Sequence, residues 1–68
     1  MSDEYREIAN YDLPYSRKAE LREVTFDGGM KMLRLVLREG RRITQVDLDA
    51  DAAMALSDAM GDWGRVNA

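Results

Sequence analysis

The stretch that decides the fold is residues 30–48, MKMLRLVLREGRRITQVDL. Leu33, Leu35 and Leu37 share one parity, while Met32, Arg34, Val36 and Arg38 share the other. That is the period-two alternation of a β-strand with one apolar face. Glu39-Gly40 then marks a tight turn. Beyond it Thr44, Val46 and Leu48 alternate with Ile43, Gln45 and Asp47. Two strands joined by so short a turn pair antiparallel.

Upstream, Val24-Thr25-Phe26 is rich in β-formers and runs into the turn cluster Asp27-Gly28-Gly29. Leu21 falls on the opposite parity from Val24 and Phe26, which predicts a bulge or a late start in this first strand. Downstream, Ala52, Leu56, Ala59, Met60 and Trp63 fall within an arc of about 100° on a helix. They predict a core-facing stripe, with Trp63 packed at the rim of the core. Asp49 or Asp51 is placed to cap the start of this helix. Gly64 is placed as its left-handed terminator. Asp58 and Asp62 carry like charge near the negative end, where a basic neighbour such as Arg65, or an arginine of a partner, would relieve them.

The expected fold is therefore α+β: a three-stranded antiparallel meander packed by one C-terminal α-helix, over residues 20–64. Residues 1–19 read as an extended or flexible N-terminal arm and 65–68 as a short tail. The arm holds the sole proline, Pro14, and shows no clean period. It nevertheless carries Tyr5, Ile8, Tyr11, Leu13 and Tyr15, more large apolar and aromatic side chains than a purely solvated segment holds. An arm of that composition is expected to lie extended on its own domain, a sister subunit or a partner, with Tyr5, Tyr11, Leu13 and Tyr15 as the contacts.

Composition narrows the function. A chain of 68 residues buries a small share of its surface, and such scaffolds lean on disulfides, metals or association. Cysteine and histidine are both absent, so the first staple is impossible and the commonest soft metal ligands are missing. Association with a second copy or a larger protein is what remains. The same inventory supplies no histidine base and no cysteine nucleophile, which argues against an enzyme and against a cofactor. The acidic, polar start does not read as a secretory signal. No run approaches the roughly 18 apolar residues of a membrane span, so a cytoplasmic protein is expected.

The net charge of −3 is unevenly spread. Residues 34–42 set Arg34, Arg38, Arg41 and Arg42 against Glu39 alone, between two acidic flanks. Overall acidity disfavours a dedicated non-specific nucleic-acid binder. A local site is a separate matter: converging guanidiniums grip carboxylate or phosphate bidentately, which makes these four arginines the candidate anion- or partner-binding residues. The blander and commoner reading is a solvated face balanced by Asp47, Glu23 or Glu39. Asp47-x-Asp49-x-Asp51 superficially opens a calcium loop, but Ala52 stands where the sharp turn requires glycine. A strand end followed by a helix cap explains these aspartates.

The pattern Gly29-Met30 … Leu33-Arg34 … Arg38-Glu39-Gly40-Arg41-Arg42 … Thr44 … Asp47-Leu48-Asp49 … Ala53 … Trp63 resembles a group of small proteobacterial proteins with no established function. The resemblance covers residues 20–64 and brings no activity with it. A fainter, architectural likeness is to the PC4-like single-stranded DNA binders, which are short dimers with a basic hairpin and a C-terminal helix. The acidic balance and the scarcity of sheet aromatics depart from that pattern. The leading expectation is a non-catalytic accessory or regulatory protein that self-associates or docks on a larger protein through its sheet face and arm. The alternative is a single-stranded nucleic-acid binder using the arginine hairpin.

Overall fold

The computed structural model describes residues 3–68. Its sheet has four antiparallel strands rather than three, in the order β1 (Glu4–Leu13), β2 (Arg17–Thr25), β3 (Lys31–Glu39) and β4 (Arg42–Leu48). One helix, α1 (Ala50–Asn67), follows. The additional strand, β1, is built from residues expected to form the arm. Its period was hidden by a bulge: Glu7 pairs with Arg22 and Ala9 with Leu21, leaving Ile8 as the extra residue. The expected irregularity near Leu21 lies here and not in β2, which pairs with β3 without interruption from Lys18 to Thr25.

The turns follow from residue chemistry. Leu13 takes the extended geometry that a following proline imposes (φ −111°, ψ 163°). Pro14, Tyr15 and Ser16 then reverse the chain, with Tyr15 and Ser16 both at positive φ. Gly40 and Arg41 form the two-residue turn between β3 and β4, where glycine supplies a φ of 61° at the first central position.

Register assigns the side chains to two faces. Leu33, Leu35 and Leu37 of β3 lie opposite Glu23, Leu21 and Ala19 of β2 and Leu48, Val46 and Thr44 of β4. After the bulge, Ala9, Tyr11 and Leu13 join this leucine face. The other face carries Arg34, Arg38, Arg22, Glu20 and Asp47, with Val24 and Val36 among them. These two valines are the only fully buried residues among those described. Both lie on the charged face, where Arg34 and Arg38 flank Val36 along β3 and Glu20 and Gln45 stand across from it. The expected order of cover is thereby reversed. The full burial lies on the arginine face, at Val24 and Val36, while Leu21, Leu33, Leu35 and Leu37 of the leucine face are only half-buried.

The helix does not close that face. Asp49 caps it as expected, accepting from the Ala52 N–H at 2.8 Å. Yet Asp49 is also the sole residue between β4 and α1, and its backbone is extended. One extended residue cannot reverse the chain, and α1 makes few contacts with the sheet, to β3 and β4, with Ala50 and Ala53 lining a cleft beside Ile8, Leu33 and Leu48. The expected core-facing stripe is unpacked: no helix residue is buried, and Trp63 is 70% exposed. Gly64 does not terminate the helix, which continues to Asn67. Arg65 does meet Asp62, at 2.6 Å. No helix among the described residues is long and apolar enough to cross a membrane.

Candidate functional site

The four arginines do not converge. Arg34 and Arg38 lie on the charged face, Arg41 sits in the turn, and Arg42 falls on the parity of Thr44 and Val46. Arg34 donates to both oxygens of Asp47, directly across the strand pair, at 2.7 and 3.0 Å. The Tyr5 ring lies 5.5 Å from its guanidinium carbon. Arg38 donates to Glu20 at 2.7 Å, and the second oxygen of Glu20 accepts from Arg22 at 2.6 Å. Two separate clusters make up this lattice: Arg34–Asp47 joins β3 to β4, and Arg22–Glu20–Arg38 joins β2 to β3. Arg41 and Arg42 are exposed and enter no ion pair among the described residues.

The lattice shifts its members' protonation. The hydrogen bond from Arg38 holds the Glu20 carboxyl below the usual range, against the opposing effect of desolvation. Hydrogen bonding from Arg34 does the same to Asp47, and Asp47 in return raises Arg34. These groups are fixed in their charged forms and matched one to another. Of the expected balancing acids, Asp47 serves Arg34, while Glu23 and Glu39 pair with Arg6 and Arg17. Glu20, which holds two arginines, was missed. Its signal is the alternation Glu20-x-Arg22 on one strand face, readable only once β2 is known to begin before residue 20.

The tyrosine contacts expected of the arm divide between the faces. Tyr5 stacks against Arg34 on the charged side, while Tyr11 and Leu13 extend the leucine face. Tyr15 projects from the turn, 87% exposed, with the Arg17 guanidinium 5.8 Å from its ring.

What remains open is therefore apolar. The leucine face spans β1 to β4 with Leu21, Leu33, Leu35 and Leu37 at its centre, all only half-buried. A cleft of about 200 Å³ lies at its end, between Ile8, Leu33, Leu48 and the helix residues Ala50 and Ala53. No group of three or more acidic side chains among the described residues is arranged to hold a metal ion. Chemically this surface can exclude water against a second apolar surface.

No curated protein and no solved structure matches the chain, and no comparison links it to the PC4-like binders. One family model matches residues 2–66, nearly the whole length. The chain accordingly belongs to a family of unknown function, DUF6967.

Proposed function

We propose that this chain is a small non-catalytic interaction protein that self-associates or docks on a larger protein through the leucine face of its sheet, with β1 forming part of that surface. The observation that carries the reading is surface area. A monomer of 7.8 kDa is expected to expose about 4,400 Å² when folded. This chain exposes 5590 Å². The radius of gyration, 13.6 Å, likewise exceeds the roughly 11 Å of a compact chain of this length. The exposed surface includes large apolar side chains on both sheet and helix, among them Tyr11, Val46, Leu56, Met60 and Trp63, and associating proteins cover surface of that kind. Nucleic-acid binding is the weaker reading, because Asp47 and Glu20 neutralise Arg34 and Arg38 and leave only Arg41 and Arg42 of the hairpin's four arginines for phosphate.

The test is light scattering across a concentration series, paired with Leu35→Glu at the centre of the face. Association that this substitution abolishes, in a variant that keeps its strand signal by circular dichroism, is the expected result. A protein monomeric at every concentration, whose capture of host proteins is unchanged by Leu35→Glu, overturns the reading.

A further inference from the structure

The geometry points to a two-fold dimer in which each helix α1 lies across the leucine face of the other copy. This rests on the self-association reading and specifies its partner and contact. Three observations carry it.

The first is the connector. The chain holds an open apolar sheet face and an unpartnered amphipathic helix, and the two are complementary. Asp49 alone joins them, and its extended backbone directs α1 away from the sheet. Intramolecular closure is therefore blocked, and a hinge too short to fold back favours exchange between copies. The second is dimension. An 18-residue helix is about 27 Å long, and the nine residues of β3 span about 30 Å. The helix of one copy thus fits the length of the face on the other. The excess surface of the single chain, about 1,200 Å², corresponds to about 2,400 Å² for a pair, within the range of obligate homodimers.

The third is charge. α1 leaves the end of the sheet where β4 finishes and β3 begins. A two-fold axis at that end sends each helix back over the other sheet, toward the turn at Gly40 and Arg41. The negative helix terminus, with Asp58 and Asp62, then arrives where Arg41 and Arg42 stand exposed and without an ion pair among the described residues. Those two arginines, otherwise without a role, gain one. The acids Asp51, Asp58 and Asp62 on the helix flank disfavour an anionic lipid surface as the alternative occupant. Reciprocal exchange is also closed, so the assembly stops at two copies.

The chain lacks cysteine and has one tryptophan, which makes the test clean. Leu35→Cys and Leu56→Cys are made as separate full-length variants, mixed and oxidised. The expected result is a mixed disulfide linking sheet to helix, a bond that can only be intermolecular. Trp63 emission in the native chain should be blue-shifted and should return toward that of free tryptophan on dilution. Inserting Gly-Ser-Gly-Ser between Asp49 and Ala50 should give a monomer with Trp63 still shielded. A dimer without the mixed disulfide and with Trp63 solvated overturns helix exchange while leaving self-association standing. A chain monomeric at all concentrations overturns both.

Discussion

Arg34 and Asp47 stand directly opposite across β3 and β4, and the guanidinium donates to both carboxylate oxygens, at 2.7 and 3.0 Å. A bidentate pair fixes the relative orientation of the two strands as well as neutralising charge. Both side chains are less than one-third exposed, so solvent screens the pair only in part. Asp47→Ala should cost about 1 kcal/mol, the ordinary worth of a charge-assisted hydrogen bond after solvent screening. A double-mutant cycle with Arg34→Ala should return a coupling of about 0.5–1 kcal/mol by urea denaturation. Strictly additive single-mutant effects would show that the pair orients nothing.

The same lattice sets a pH dependence. Glu20 and Asp47 have their carboxyl pKa values lowered in the folded chain, chiefly by hydrogen bonds from Arg38 and Arg34. The unfolded chain therefore takes up protons first as pH falls, and the stabilisation is present above the unfolded carboxylate range of about 4. It is lost as pH drops through the lower folded values. Midpoints of urea unfolding should be flat from about pH 7 to 5 and fall below about 4. Asp47→Asn should flatten part of that decline. An unchanged acid limb in this variant would assign the loss to other carboxylates.

How much of this was legible beforehand depends on period. Residues 30–48 alternate without interruption, and both strands of that hairpin stand where the alternation placed them. The Asp49 cap was equally readable, because it depends on one side chain and one turn of backbone. β1 was not, since the bulge at Ile8 puts Tyr5 and Tyr11, both odd-numbered, on opposite faces. The helix was read correctly as amphipathic and wrongly as packed on its own sheet. Its stripe marks an apolar face, whereas the single-residue connector Asp49 keeps that face off its own sheet. The arginines illustrate the same limit: composition gathers four of them within nine residues, but cross-strand register delivers Glu20, 18 residues away, to hold Arg38.

Tyr15 occupies the left-handed region at φ 64° and ψ 37°, and Ser16 follows at φ 61°. A bulky side chain pays a steric penalty there that glycine escapes and asparagine largely avoids. Tyr15 is exposed and its cation–π contact with Arg17 is a surface one, so little is lost on replacement. Tyr15→Asn should raise stability by about 0.5 kcal/mol, read as a higher urea midpoint with an unchanged slope. Destabilisation would mean that the ring contributes more to the turn than its exposure indicates.

The helix itself offers the last measurement. Most helical stability in proteins comes from packing an apolar face, and an isolated helix of this length is marginal. α1 has no buried residue and few contacts with its own sheet, and it contains Gly61 and Gly64, each unfavourable by about 1 kcal/mol relative to alanine. In the isolated chain its chief local support is the Asp49 cap, worth about 1 kcal/mol. Ellipticity at 222 nm should therefore depend on protein concentration, rising as copies associate and supply the missing apolar surface. Asp49→Ala should shift that rise to higher concentration, and Asp49→Ser should not. Gly61→Ala should shift it lower, because an added Cβ would meet only the mobile Arg65 guanidinium, 3.2 Å away. A helical signal independent of concentration in all three variants would show that α1 needs no surface beyond its own chain.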